Sequence, residues 1–247
     1  MLYVVGIGPG DARYFTAQAR EALSRAEILC GYTAYIDLVR DIFPDKEFFT
    51  TPMTREIERC RKALELSQSG REVAMVCSGD AGVYGMAGPL YELLPEYPGA
   101  EIEVVPGVTA ALSGAAVLGA PLTHDFCVVS LSDLMTPWPL IEKRLRCAAE
   151  GDFAIAIYNP SSRKRADYLQ KACDILLEVR PADTVCGWVE NIGREGETSR
   201  VLTLGELREE KLNMFTTVFV GNSATKNILG AMVTPRGYAI GERRETE

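Results

Sequence analysis

The sequence predicts an α/β protein built as two α/β domains. Short apolar runs with strand character alternate with stretches of helical periodicity along most of the chain. Glycine-rich turns follow several of those runs, and in open α/β sheets the ends of strands are where ligands bind. A length of 247 residues is enough for two hydrophobic cores of ordinary size.

In the first half, LYVVGI from Leu2, EILC, EVAMVCS from Glu72 and EIEVVPG from Glu101 read as strands. Between them, Thr54 to Ser69 reads as a surface helix, with Ile57, Cys60, Leu64 and Ser67 on its inner face. Arg55, Glu58, Arg59, Lys62 and Glu65 point mostly elsewhere and form a solvated face. VTAALSGAAVLGAPL from Val108 is shorter than the roughly 20 residues a membrane span needs, so it reads as a buried helix. Turn-forming APLTHDF and LMTPWP bracket the strand-like FCVVSL, and the domain division is placed there, giving domains 1–122 and 123–247. The second half then reads helix (Leu140 to Ala149), strand (Phe153 to Tyr158), helix (Arg163 to Val179) and strand (Thr184 to Glu190). A polar loop, NIGREGE, and the strands SRVLTL and TTVFVG complete it.

Composition narrows the function classes. With 47% hydrophobic and 24% charged residues the chain is an ordinary globular protein. A net charge of -8 argues against nucleic-acid binding, and an anionic ligand would need a local basic patch. The seven cysteines are scattered, with no C-x-x-C pair, and read as reduced, mostly buried thiols. The N-terminal apolar run lacks a basic flank, so no secretory signal is expected and the location expected is cytoplasmic.

Four loops at strand ends could carry chemistry: GIGPGD (Gly6 to Asp11), SGDAGVYG (Ser78 to Gly85), VPGVTAA (Val105 to Ala111) and YNPSSRKR (Tyr158 to Arg165). GIGPGD is not a dinucleotide fingerprint, because Asp11 stands where the third glycine belongs and would repel a pyrophosphate. Pro9 also removes a backbone donor that a phosphate would use. An NAD-dependent oxidoreductase is therefore disfavoured. Asp80 and Thr109 each read two ways, as a cap for the following helix or as a contact to ligand. His124 is the only histidine and lies beside Asp125, but no G-x-S-x-G elbow accompanies it and no metal-ligand spacing exists, so no metal site is expected. Arg163, Lys164 and Arg165, with Arg194, Arg200, Lys226 and Arg236, are either exposed charge or a set of carboxylate clamps, for which the planar guanidinium of arginine is suited.

Taken together, GIGPGD, SGDAGVYG, VPGVTAA and the late VGNSATK resemble the tetrapyrrole methylase family over nearly the whole chain. Within it, GYTAYIDLV, PMTREIERCRKALELSQSG, GAPLTHDFCVVSLSDLMTPW, YNPSSRKR and TPRGY look like the branch that acts on carbon 17 of precorrin-3B or cobalt-factor III in cobalamin synthesis. The resemblance implies two α/β domains with a cofactor cleft between them, unlike the usual Rossmann methyltransferases. It implies S-adenosylmethionine as cofactor, S-adenosylhomocysteine as product, a homodimer and a tetrapyrrole substrate. Cofactor contacts implied are Pro9, Gly79, Asp80, Val83, Thr109 and Ala110, completed by Tyr158, Val189 and Asn222. A cofactor without phosphate suits the loop around Asp11, which either touches the ligand or caps the turn.

The macrocycle is itself the nucleophile in methyl transfer, so the enzyme mainly orients it. Ring contraction with expulsion of carbon 20 calls for proton transfer, and His124, Asp125, Ser130 and Asp133 are the candidates. Arg163, Arg165 and Arg194 are candidates for holding the acetate and propionate arms. Other readings are a further tetrapyrrole methylase of the same pathway, an RNA or protein methylase of the same fold, and a non-enzymatic sensor.

Overall fold

The structure, a computed structural model, describes residues 1–162 and 165–238. Arg163 and Lys164 lie outside the described residues. Two compact units are formed by Met1–Ser113 with Ile192–Glu195, and by Gly114–Asn191 with the chain from Gly196 on.

In the first unit five strands make one sheet: β1 (Leu2–Gly6), β2 (Ile28–Tyr32), β3 (Glu47–Thr51), β4 (Val73–Cys77) and β5 (Ile102–Val105). They are ordered β3-β2-β4-β1-β5 and every pairing is parallel. Side chains alternate across a strand, so Leu2 and Val4 enter one core while Tyr3 and Val5 enter the other. That two-sided burial explains why β1 and β4 are continuous apolar runs. The helices are α1 (Ala17–Arg25), α2 (Thr33–Arg40), α3 (Glu56–Gln68) and α4 (Ala87–Leu93). Thr16 starts α1 by accepting from the Ala19 N–H at 3.0 Å.

The boundary between units falls within α5 (Ala110–Leu118), away from the proline-rich turns near 122. Its physical basis is pairing: Gly119 and Ala120 form β6, which joins β13 (Ala231–Val233) and thereby draws the end of α5 into the second unit. That unit holds β7 (Phe126–Ser130), α6 (Trp138–Glu150), β8 (Ala154–Tyr158) and α7 (Tyr168–Leu177). β9 (Val185–Glu190), β10 (Thr198–Thr203), α8 (Leu204–Leu207), β11 (Thr216–Val220) and β12 (Lys226–Ile228) follow. The main sheet is ordered β10-β9-β11-β8-β7, parallel only between β7 and β8.

Three expectations change. β3 was not anticipated, because EFFTT offers only two large apolar residues in a half-buried edge strand. On α3 the inner face is Cys60, Ala63, Leu64 and Ser67, but Ile57 is 51% exposed and Arg59 only 3%. α5 buries Ala111, Ala115 and Leu118 yet leaves Leu112 and Val117 exposed, so it is half-buried rather than wholly so. The cysteines are free: Cys30, Cys60, Cys77, Cys173 and Cys186 are buried, whereas Cys147 is exposed.

Candidate functional site

The loops after β1, β4 and β5 meet at one edge of the first unit's sheet. Gly8 and Gly79 exchange two backbone hydrogen bonds, at 3.0 and 2.7 Å. A Cβ on Gly6 would sit 2.7 Å from the Gly79 carbonyl oxygen and 2.8 Å from the Gly107 nitrogen, so the absence of side chains lets the three backbones touch. Gly10 packs in the same way against Gly193 and Arg194. The glycines thus fasten the loops to one another. The Cβ space of Gly6, Gly8 and Gly10 is taken by protein.

Asp80 is the clasp of this assembly. Its Oδ1 accepts from the N–H groups of Gly82 (2.8 Å) and Val83 (3.2 Å), and its Oδ2 accepts from Gly107 N–H at 2.9 Å. Asp11 caps the turn Ala12–Tyr14, accepting from Arg13 N–H at 2.8 Å, and that bond holds its carboxyl below the usual range. Arg194 reaches into the same edge: Nε donates to the Pro9 carbonyl at 2.8 Å and Nη2 to Ser78 Oγ at 3.1 Å. Burial lowers its pKa, which records how far the guanidinium is drawn from water. Val83, Asp80, Thr109 and Ala110 are half-buried around this edge, while Pro9 and Gly79 are buried.

In the second unit, Ser130 and Tyr158 end β7 and β8 side by side. Ser130 Oγ accepts from Asn159 Nδ2 at 2.9 Å and from Ser132 N–H at 3.2 Å. Arg165 donates through Nη1 to Ser132 Oγ (2.9 Å) and Asp133 Oδ1 (3.1 Å), and Tyr168 Oη donates to Asp133 Oδ2 at 2.6 Å. The Tyr168 hydroxyl is the main reason the Asp133 carboxyl lies below its ordinary value. His124 and Asp125 precede β7 and Ser130 ends it, so roughly 16 Å of strand separates Asp125 from Ser130. His124 Nδ1 lies 3.7 Å from Asp125 Oδ2, with both side chains substantially exposed.

The family described as "Tetrapyrrole (Corrin/Porphyrin) Methylases" matches residues 1–208. The chain belongs to the tetrapyrrole methylase family. Among its relatives, the "Probable cobalt-factor III C(17)-methyltransferase" of Salmonella typhimurium is 48% identical over 97% of this chain and 100% of its own length. The "Cobalt-factor III methyltransferase" of Priestia megaterium is 43% identical over 96% of this chain, which spans only 45% of that protein. The "Precorrin-3B C(17)-methyltransferase" of a Sinorhizobium species is 39% identical, covering 96% of this chain and 97% of that one. The crystal structure of the methyltransferase CobJ superposes with a TM-score of 0.88 at 37% identity, covering 95% of this chain and 99% of that chain.

Set out on this methylase fold, the expected cofactor contacts Pro9, Gly79, Asp80, Val83, Thr109 and Ala110 come together, and Arg194 joins them from a distant loop. Val189 has no exposed surface, its strand being paired on both sides with Ser199 and Thr217. Asn222 is buried, its Oδ1 accepting from Ala224 N–H and Thr225 Oγ1, so it shapes the turn after β11. Arg165 already faces a carboxylate of the protein, which weakens its case as a clamp for ligand acids. Arg163 lies outside the described residues. Among the described residues no cluster of potential metal ligands occurs, and no helix is long and apolar enough to cross a membrane. Tyr32, Tyr35, Met53 and Arg59, which line a pocket of the first unit, were missed. The available signal was positional, since Arg59 falls beside Cys60 and Ala63 on the inner face of α3.

Proposed function

We propose that this chain transfers a methyl group to carbon 17 of a cobalamin precursor and couples the transfer to contraction of the macrocycle. The observation that carries the reading is the end-to-end correspondence with the Salmonella typhimurium relative. Cobalt-factor III is the preferred substrate, because that name belongs to the two more similar relatives. Precorrin-3B is the second reading, from the Sinorhizobium relative.

The cofactor proposed is S-adenosylmethionine, and the first unit's loop edge fits it. Such a ligand carries no phosphate and a positive sulfonium; the edge offers small half-buried walls at Val83, Thr109 and Ala110 and the nearby acid Asp80. Pro9 and Gly79 have their carbonyls engaged by Arg194 and Gly8, so their contribution is shape. Tyr158 and Asn222 are further candidate contacts, as the family resemblance implies. Val189 is retained only through its packing. When bound, the cofactor supplies an electrophilic methyl group. The chain's own work is to orient the macrocycle and exclude water.

Proton movement during contraction is assigned to His124, with Asp125 as its neighbour. Asp133 is the weaker base, since Tyr168 and Arg165 stabilise its ionised form, and Ser130 is occupied by Asn159 and Ser132. Arg194 is the first candidate holder of a substrate acid, with Arg163 and Arg165 as further candidates. The enzyme is proposed to act in the cytoplasm as a homodimer, as the family resemblance implies.

The test is direct. Each tetrapyrrole is supplied with S-adenosylmethionine and the products are analysed by mass spectrometry. One added methyl and a contracted ring with cobalt-factor III is the expected result. Turnover of neither tetrapyrrole would contradict the reading.

A further inference from the structure

Beside the loop edge, the first unit holds a pocket of about 170 Å³ walled by Tyr32, Tyr35, Met53, Val76, Tyr84 and Met86. A dry cavity of about 150 Å³ takes a benzene-sized guest, so this one suits a short side arm and not a whole macrocycle. Arg59 lines it while remaining 3% exposed. Its Nε donates to Thr51 Oγ1 at 2.9 Å and its Nη2 to the Pro52 carbonyl at 3.3 Å. A guanidinium has five N–H donors, so three are left. No carboxylate among the described residues lies within 4.0 Å of it. Glu56 lines the same pocket without forming an ion pair to Arg59, its Oε1 turned to Thr54 N–H at 3.1 Å. Arg194, bonded to the pocket residue Ser78, is a second guanidinium without a carboxylate partner among the described residues. A buried cation without a counter-ion is costly, and a ligand carboxylate arriving in bidentate geometry would supply one. The pocket rim also carries strain: Tyr84 (φ 54°) and Thr54 (φ 71°), next to Met53, sit in the left-handed region that a β-branched residue such as threonine avoids.

We infer that this pocket is a specificity site for one acidic arm of the tetrapyrrole, with Arg59 as the residue that binds its carboxylate. The aromatic and thioether walls take the methylenes of the arm, and the charge is met at the pocket floor. This inference rests on the proposed function, and the cofactor's own carboxylate is the rival occupant.

The experiment compares wild type with Arg59→Gln and Met53→Glu, titrating cobalt-factor III, its methyl ester and S-adenosylhomocysteine separately. Met53 is 43% exposed, so Met53→Glu adds a repelling charge at the rim without disturbing the core. Either variant is expected to bind cobalt-factor III about tenfold to a hundredfold more weakly while holding S-adenosylhomocysteine as wild type does. The ester is expected to bind wild type and Arg59→Gln alike. Unchanged cobalt-factor III affinity in Met53→Glu and in folded Arg59→Gln overturns the inference and leaves the function standing. Weakened S-adenosylhomocysteine binding overturns it in favour of the cofactor. Wild type that neither binds nor methylates cobalt-factor III overturns the proposed function itself.

Discussion

Asp80 shows how one carboxylate can hold two loops in register. Its two oxygens take three backbone N–H groups that would otherwise be short of partners. Asp80→Asn turns an amide donor toward at least one of those N–H groups, so a loss of about 1–3 kcal/mol of stability is expected, with weakened S-adenosylhomocysteine binding. Calorimetry of melting and of ligand titration reads both, and wild-type values for both would refute the clasp. Asp133 makes a pH-dependent statement. Tyr168 and Arg165 hold its folded pKa below the ordinary 3.8, so the stabilisation is complete above about pH 4 and is lost as pH falls through the folded value. Tyr168→Phe should lower the melting temperature at pH 7, and the gap to wild type should narrow by pH 3; a constant gap contradicts this. His124→Ala is expected to separate the two proposed chemical steps. Methyl transfer is expected to continue while ring contraction fails, and mass spectrometry showing both steps unchanged would remove His124 from the mechanism.

At the scale of elements, the glycines explain how a parallel sheet locks three loops together at one edge. Gly6 leaves β1 where the loops after β4 and β5 press against it, and no side chain fits there. Gly6→Ala should cost about 1–3 kcal/mol through overpacking and should weaken cofactor binding more than a comparable core change. Thermal melts paired with S-adenosylhomocysteine titration would show it, and an alanine variant with wild-type values would mean the loops have slack. Most strands were legible because β1 and β4 are buried on both faces and so spell continuous apolar runs. β3 was not, since an edge strand with one half-buried face gives a weak pattern. α3 was placed correctly but turned slightly, because a helical count treats arginine as a surface residue. Arg59 is instead buried against Thr51 and Pro52 at the end of β3.

For the whole molecule, the family and fold class could be read from long motifs at strand ends, which is where α/β architecture concentrates ligand chemistry. What the motifs could not give was the division of labour within them. GIGPGD looks like a ligand loop, yet Asp11 caps a turn and Gly10 makes room for Arg194, residues far apart in sequence. Arg165 looked free for substrate until Asp133, more than a helix away, supplied its partner. Such pairings depend on tertiary contacts that no local pattern encodes. The domain division near 122 was drawn from turn-rich sequence, whereas the compact units part inside α5 because β6 pairs with β13. Methyl transfer to one carbon of a tetrapyrrole is tested by NMR of the product formed from cobalt-factor III and S-adenosylmethionine carrying a carbon-13 methyl. The label is expected on carbon 17 of a macrocycle that has expelled carbon 20; label at any other carbon, or an unlabelled tetrapyrrole, would overturn the proposed reaction.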